Sequence, residues 1–393
     1  MAQSVVSDSM HGLLQADTTA KFNGIQQRDL VDYSRIWFGL KPSGKGELRP
    51  GDKPILSVLP AAGYTLQTRL AFILTGNLAF YLTKNKGSKL SVINSSIVYS
   101  QNKQFFIPVQ ANIWLLNDRI NLLGDWRYMK YPQSTFGLGS NAPVENENPM
   151  DYQYFRFYQY MLYRVTKNVY AGPGFQLDDR WKISEEGLAS NVPSDYAVYG
   201  AASKTVSKGI AFNFLYDSRK NPINASNGLF ANIIFRQNPA AWNTAKWSSV
   251  IADVKKYIPV SANKKNILAL WSYNWLILSG KPPYLDLPST GWDNYNNSGR
   301  GYIQGRFRGK HFYYAEAEYR FRITQNGFLG GVVFANAQSV SELPGNQLQR
   351  IQPAAGGGIR LKLNKKSDTN VSIDYGIGAQ GSKGLFVNIG EVF

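Results

Sequence analysis

The stretch His311-Phe-Tyr-Tyr-Ala-Glu-Ala-Glu-Tyr-Arg-Phe-Arg-Ile323 decides the fold class of this 393-residue chain. Its alternate positions from Tyr313 onward are aromatic, aliphatic or alanine, and none is charged. The positions between them carry four charges, at Glu316, Glu318, Arg320 and Arg322. A period of two residues is that of a β-strand, whose neighbouring side chains point to opposite faces. Because a charge at mid-bilayer costs about 2–4 kcal/mol, the pattern predicts a strand with one face toward lipid and the other toward a lumen.

Similar alternating runs follow one another from Pro54 to the end of the chain. We count about sixteen of them, and single-chain bacterial barrels have even numbers of strands. Four long connections, which all lie at one end of the strands, fall over 132–151, 185–205, 280–308 and 342–352. Long outer loops and short periplasmic turns are the asymmetry of outer-membrane barrels. The sequence therefore predicts an all-β fold, a 16-stranded antiparallel transmembrane β-barrel over residues 54–393.

Residues 1–53 differ from the rest of the chain, because they are polar and contain one plausible helix, from Arg28 to Leu40. The helix has a partly apolar stripe that includes Leu30 and Trp37. We expect a short, partly helical segment in the periplasm. The pattern leaves open whether it plugs the barrel, lies on the membrane surface or is a plain tether.

The predicted last strand covers 383–393. Leu385, Val387 and Ile389 share one face of it, and Phe393 follows in the same phase. A half-polar strand at the end of a sheet would leave an open edge, and closing the sheet into a barrel removes that edge. We expect these four residues to serve as the signal recognised during the protein's own insertion, and the strand to pair with residues 54–64. An ordinary C-terminal strand of a soluble sandwich is the alternative for this segment taken alone.

Composition narrows the class of protein. Charged residues make up 18% of the chain and aromatic residues 14%, and 43 Lys and Arg stand against 26 Asp and Glu, for a net charge of +17. The positive charge suits a lumen or rim that meets lipopolysaccharide phosphates or anionic substrates, or simply a solvated surface. No run of 18 apolar residues occurs, which excludes a transmembrane helix. The dispersed charge and the lack of a recognition module argue against nucleic-acid binding.

Patterns that would indicate catalysis or metal binding are nearly absent. The chain has no Cys and only two histidines, His11 and His311. It therefore offers no zinc site and no inward histidine for a Ser-His-Asp triad. We expect a non-enzymatic protein without a cofactor or metal.

The longest loop, about 280–308, contains Gly299-Arg300-Gly301-Tyr302 and then Gly305-Arg306-Phe307-Arg308. Glycines on both sides of Arg300 would let a tight turn present its guanidinium far from the backbone. If the loop folds into the lumen, Arg300 needs an acceptor there, because a lone buried cation is costly. Glu316, Glu318 and Asn336 are the inward candidates. A mobile external loop with solvated arginines is the alternative.

Several of these segments, taken in order, resemble the barrel of the bacterial surface antigen superfamily, the BamA/TamA-type outer-membrane assembly and translocation proteins. Arg300-Gly301-Tyr302 matches the Arg-Gly-aromatic core of the sixth external loop of that family. The segment from Tyr216 to Pro222 with Gly228 resembles the periplasmic hairpin between its eighth and ninth strands. The residues of that hairpin that carry the resemblance are Asp217, Arg219, Pro222 and Gly228. Glu318-Tyr319-Arg320 resembles its twelfth strand, and 358–393 resembles its closing strands.

The resemblance implies that the sixth loop tucks into the barrel and that Arg300 contacts inward groups on strands twelve and thirteen. The predicted loop-anchor residues are Arg300, Gly301, Tyr302, Glu316, Glu318, Phe334 and Asn336. Asn336 stands where the family has an acid, so Glu316 or Glu318 is the expected partner of Arg300. Since 53 residues are too few for one polypeptide-transport-associated domain, the resemblance implies a short member that lacks those periplasmic domains.

The leading functional hypothesis is a non-enzymatic outer-membrane barrel that inserts or translocates proteins or lipid. The alternative is a gated pore with a cationic lumen for anionic solutes. The expected partners are outer-membrane lipids, including lipopolysaccharide, and periplasmic or outer-membrane proteins. The expected location is the bacterial outer membrane.

Overall fold

The computed structural model describes residues 53–84, 88–219, 221, 223–240, 245–261, 266–294, 296–341, 347–364 and 368–393, together with 21, 22, 25, 26, 28–30 and 33. The predicted helix from Arg28 to Leu40 falls almost wholly outside these residues, as does most of the segment 1–53. Pro222 of the predicted periplasmic hairpin also lies outside them. Within the described ranges, no helix has the length and apolar character needed to cross a membrane.

Sixteen antiparallel strands form one closed barrel, which confirms the predicted fold class. In chain order they are β1 (Ile55–Thr65), β2 (Arg69–Phe80), β3 (Ser91–Ser100), β4 (Phe105–Leu115), β5 (Ile120–Lys130), β6 (Asn148–Thr166), β7 (Val169–Glu185), β8 (Lys204–Asp217), β9 (Gly228–Asn238), β10 (Trp247–Pro259), β11 (Ile267–Gly280), β12 (His311–Arg322), β13 (Leu329–Val340), β14 (Gln352–Asn364), β15 (Thr369–Gly378) and β16 (Lys383–Ile389). A three-residue strand, Gln133–Thr135, adds to the start of β6.

The two faces of each strand have opposite environments. In β2, Phe72 is 65% exposed, whereas its neighbours Ala71 and Ile73 are buried. β12 repeats the pattern, because Glu316 and Glu318 are buried while the alanines beside them are exposed. Large exposed apolar side chains would be unfavourable in water, but a lipid environment accommodates them. The alternation read from the sequence therefore sorts side chains into an outer and an inner face.

The connections differ in length at the two ends of the barrel. Those longer than ten residues, 131–147, 186–203, 281–310 and 341–351, all lie at one end. The loop 186–203 contains the helix α1 (Asp195–Gly200), and 3₁₀ turns occur at Val144–Asn146 and Tyr284–Asp286. Because outer-membrane barrels carry their long loops outside, we call this end the extracellular rim and the opposite end the periplasmic rim.

The last strand is shorter than predicted. β16 ends at Ile389, and Gly390 has a φ of +105°, a left-handed backbone that turns residues 391–393 away from the strand. Phe393 is buried, with its ring centroid 5.2 Å from that of Trp271, so it does not share the face of Leu385 as its predicted phase requires. The reason is Glu391, which a straight strand would put on the lipid face. The bend instead brings its carboxylate to 2.7 Å from Nε of Arg360.

The seam between β16 and β1 is the weakest strand contact in the barrel. Only one aligned pair, Val387 with Tyr64, joins these two strands within the described residues. By contrast, β1 is paired with β2 at every residue from Ile55 to Thr65. The side of β1 that faces β16 is therefore left largely without ladder partners.

Candidate functional site

The 281–310 loop crosses the space that the strands enclose. Its Asp286 forms an ion pair with Arg180 of β7, and the carbonyl oxygen of Asn294 accepts a hydrogen bond of 2.8 Å from Arg127 of β5. Arg300 reaches the inner faces of β12 and β15 on the other side. A segment that contacts β5, β7, β12 and β15 at once lies inside the ring of strands.

Two glycines shape the turn that presents Arg300. Gly299 and Gly301 have φ of +85° and +103°, values that side-chain-bearing residues rarely adopt. The amide of Tyr302 donates to the carbonyl of Gly299 at 2.9 Å and closes the turn. A Cβ on Gly301 would lie 2.9 Å from the Cβ of Ala354, so the backbone approaches β14 too closely for any larger residue.

The Arg300 guanidinium is 1% exposed and is surrounded by acids. It donates to Oδ2 of Asp374 at 2.8 Å, to Oε2 of Glu318 at 2.6 Å and to Glu316. Its carbon lies 3.7 Å from the ring centroid of Phe334, which adds a cation–π contact. Multiple charge-assisted hydrogen bonds to a planar fork hold this side chain in one orientation.

Two further arginines extend this arrangement into a network. Arg320 donates to Glu318 at 2.6 Å and to the backbone oxygen of Phe393 at 2.6 Å. Arg360 contacts both Asp374 and Glu391. We call the seven side chains the Arg300 cluster: Arg300, Arg320, Arg360, Glu316, Glu318, Asp374 and Glu391. Removal of one partner from such a buried network is costly, because it leaves the opposite charge buried without compensation.

All seven predicted loop-anchor residues lie at or beside this cluster. The side-chain amide of Asn336 donates to the backbone oxygen of Arg300 at 2.9 Å, so it holds the turn rather than the guanidinium. The hydroxyl of Tyr302 donates to the carbonyl of Pro353 at 2.6 Å. Asp374 was not among the predicted residues. The sequence places Asp374 on the inward phase of β15 together with Ser372, and this phase alone does not identify it as a partner of Arg300.

The opposite wall contains a second set of paired charges, which the sequence analysis did not identify. Arg236 of β9 pairs with Asp178 at 2.5 Å, and Arg127 pairs with Asp125 at 2.6 Å. Asp286 joins this wall to the loop, because Ser207 of β8 also donates to its carboxylate. The 281–310 loop is therefore anchored on both sides of the lumen.

The outer part of the loop is fixed to neighbouring extracellular loops. Arg306 donates to the carbonyl of Ala142 at 2.8 Å and to Gln380. Its ring neighbours are Phe136 and Phe307. No carboxylate of the described residues forms an ion pair with it, and removal from water lowers the pKa of Arg306 to about 10. The contact therefore depends on neutral acceptors and aromatic faces.

The β8–β9 hairpin folds over the periplasmic rim. Arg219 donates to both oxygens of Asp217, at 3.0 and 2.8 Å. Gly228 has a φ of +112°, and a Cβ there would lie 2.9 Å from the carbonyl oxygen of Ser218. Ala225 is buried in the same apolar cluster as Phe393. The hairpin and residues 391–393 thus lie together at this end of the barrel.

No group of three or more His, Asp or Glu side chains able to hold a metal ion occurs in the part of the chain that the structure describes. The charged side chains inside the barrel are instead engaged with one another and with the loop.

Comparison with solved structures gives the same architecture. The barrel resembles that of BamA. BamA from Haemophilus ducreyi lacking POTRA domains 1–3 superposes with a TM-score of 0.58 at 14% identity, over 88% of this chain and 71% of that one. CdiB from Acinetobacter baumannii gives 0.56 at 12% identity, over 86% and 59%, and CdiB from Escherichia coli gives 0.54 at 11% identity, over 88% and 63%. This chain therefore spans about three fifths of the CdiB chains.

At these identities the likeness is one of fold. Neither a protein-family model nor a curated protein sequence matches the chain significantly. These neighbours therefore show a barrel of the same architecture.

Proposed function

We propose that this chain is a non-enzymatic barrel of the bacterial outer membrane that inserts or translocates other molecules, with protein as the leading class of client. The observation that carries the proposal is the β1–β16 seam. Among the residues that the structure describes, a single aligned pair closes it, so the edge of β1 offers backbone donors and acceptors that a strand of another chain can pair with.

The fold adds support. The neighbours with similar barrels are BamA and CdiB, and the resemblance to the BamA/TamA-type proteins implies work that depends on weak pairing between first and last strands. The loop anchored by Arg300 stiffens the wall beside this seam, because Asp374 lies on β15, the neighbour of β16. Because the seam is weak and the wall beside it is rigid, we expect the barrel to open between β1 and β16.

The alternative of a gated pore has less support. The 281–310 loop contacts opposite walls of the barrel, and the inward arginines Arg180, Arg236 and Arg300 are paired with carboxylates. Ala225 of the β8–β9 hairpin lies in the same buried apolar cluster as Phe393 at the periplasmic end. A conducting path would require these segments to move.

The test locks the seam with a disulfide. The chain has no Cys, so Tyr64→Cys with Val387→Cys creates a single cross-link between the aligned residues. The matched control is Val254→Cys with Ser272→Cys, an aligned pair within the β10–β11 hairpin. Each protein is placed in vesicles, and folding of a small unfolded outer-membrane barrel is followed by its heat-modifiable gel shift.

The seam-locked protein should lose the acceleration of client folding and regain it on reduction, and the control lock should have no effect. Equal activity of the locked and reduced seam variants would overturn the proposal.

A further inference from the structure

Lysines lie along the extracellular rim of the barrel from β8 to β12. Lys204 begins β8, Lys246 precedes β10, Lys281 follows β11 and Lys310 precedes β12. Lys208 is the fifth, on the outward phase of β8 between the buried residues Ser207 and Gly209. We call these five residues the rim lysines. Because neighbouring strands are about 4.8 Å apart, they cover an arc of roughly 19 Å.

Acids are nearly missing from this arc. The strand ends and connections from 204 to 210, 236 to 250 and 277 to 283, and the residues 308–313, contain no Asp or Glu. Asp179 of β7 is the acid that reaches the arc, with its Oδ1 3.8 Å from Nζ of Lys204. Lys204 nevertheless keeps 61% of its side chain exposed. Positive charge therefore predominates along this arc.

Aromatic side chains mark the depth of these lysines in the membrane. Trp181 is the register partner of Lys204, and Tyr313 lies on the outward phase of β12, three residues below Lys310. The ammonium of Lys281 lies 4.6 Å from the ring centroid of Tyr199. Aromatic belts lie at the headgroup level of a bilayer, so lysines just beyond them reach the layer of phosphates.

We propose that the rim lysines bind the phosphate groups of lipid A, the bisphosphorylated glycolipid of the outer leaflet. A lysine ammonium is a compact charge that pairs well with a phosphate oxygen. An arc of several lysines matches a headgroup that carries two separated phosphates better than one with a single phosphate. The inference rests on the outer-membrane location in the proposed function, and it does not depend on client insertion.

The test compares two triple variants of the full chain in detergent micelles. One is Lys204→Gln, Lys246→Gln and Lys281→Gln, which removes the three exposed rim lysines. The other is the matched control, Lys84→Gln, Lys167→Gln and Lys256→Gln, which removes three exposed lysines near the periplasmic rim. Both change the net charge equally. Heat-modifiable migration shows whether each barrel is folded, and binding of bisphosphorylated lipid A is measured by thermophoresis.

Each lysine near an anionic headgroup contributes about fivefold in affinity, so the rim variant should bind about a hundredfold more weakly. The control variant should stay near the affinity of the unaltered chain, and lipid A with one phosphate should bind the unaltered chain more weakly. Equal losses in both triple variants would overturn the inference, because general charge would then explain binding. Competition by inorganic phosphate alone would also overturn it, since the lysines would then hold free phosphate.

The seam lock separates this inference from the proposed function. The disulfide between the cysteines introduced by Tyr64→Cys and Val387→Cys does not alter the rim lysines. Lipid A binding should therefore persist when client insertion is lost.

Discussion

Oδ2 of Asp374 accepts a hydrogen bond of 2.8 Å from Arg300, and this contact joins the 281–310 loop to β15, the strand beside the seam. The same carboxylate is paired through Oδ1 with Arg360 of β14 at 2.5 Å. One acid therefore links the loop to two neighbouring strands of the barrel wall. The charges that hold the loop and those that hold the wall belong to one network.

Arg300→Ala should lower the free energy of unfolding by about 3–5 kcal/mol, because it leaves Glu316, Glu318 and Asp374 without their shared cation. The measurement is urea unfolding in lipid vesicles, with heat-modifiable migration as a second readout. Arg350→Ala is the control, since Arg350 is exposed at the extracellular rim and should change stability little. Equal stability of the two variants would show that the loop is not anchored through Arg300.

A double-mutant cycle between Arg300→Ala and Asp374→Asn should show a coupling of about 1–3 kcal/mol, because the two side chains are in direct contact. Additive effects would mean that Asp374 acts only on Arg360.

Gly301→Ala should destabilise the barrel and displace the loop. The residue would have to keep a left-handed backbone and would also meet Ala354 at 2.9 Å. Gly381→Ala measures the cost of the left-handed backbone without the steric contact, because Gly381 has a φ of +73° with open space around it. We expect about 1–2 kcal/mol for Gly381→Ala and a larger loss for Gly301→Ala, both read from urea unfolding. Similar losses would indicate that β14 tolerates the loop at a greater distance.

Glu391→Gln should lower stability by about 2–3 kcal/mol, because it removes a buried carboxylate that is bonded to Arg360 and lies near Arg320. Glu186→Gln, at an exposed acid of an extracellular loop, provides the matched loss of one negative charge. Thermal unfolding followed by gel migration distinguishes them. No difference between the two variants would contradict the inward position of Glu391.

Conductance measurements in planar bilayers test whether the 281–310 loop blocks the lumen. The unaltered chain should give small, infrequent conductance steps, and Arg300→Ala should raise conductance because the loop loses its attachment to β12 and β15. Arg350→Ala should behave like the unaltered chain. Large, stable, anion-selective openings of the unaltered chain would favour the pore and count against the proposed function.

The strands could be predicted from the sequence because every outward-facing side chain must be compatible with lipid. The alternation in the sequence predicts strands over 228–238 and 247–259, and β9 and β10 have these limits. Glycine, proline or polar residues bound each of them. The loop anchors Arg300 and Glu318 could be named from a local motif and from the inward phase of β12. Their role as anchors of a working loop remains a prediction.

The partners that sequence analysis missed are set by three-dimensional placement. Asp374 is one of several inward polar residues on β15, and nothing local distinguishes it from Ser372. Its distance from Arg300 depends on how far the 281–310 loop descends into the barrel. The inward turn at Gly390 could have been predicted, because Glu391 would otherwise lie on the lipid face.

The bend at Gly390 also limits how long the seam can become. If β16 were straightened in the register of Val387 with Tyr64, Glu391 would lie opposite Pro60. Proline has no amide hydrogen to donate. The carboxylate of Glu391 would also move away from Arg320 and Arg360 and into contact with lipid. Extension is therefore opposed from both strands, by a missing donor on one and a misplaced charge on the other. The sequence itself therefore keeps the pairing between β1 and β16 short, and a longer seam would need substitutions at both Pro60 and Glu391.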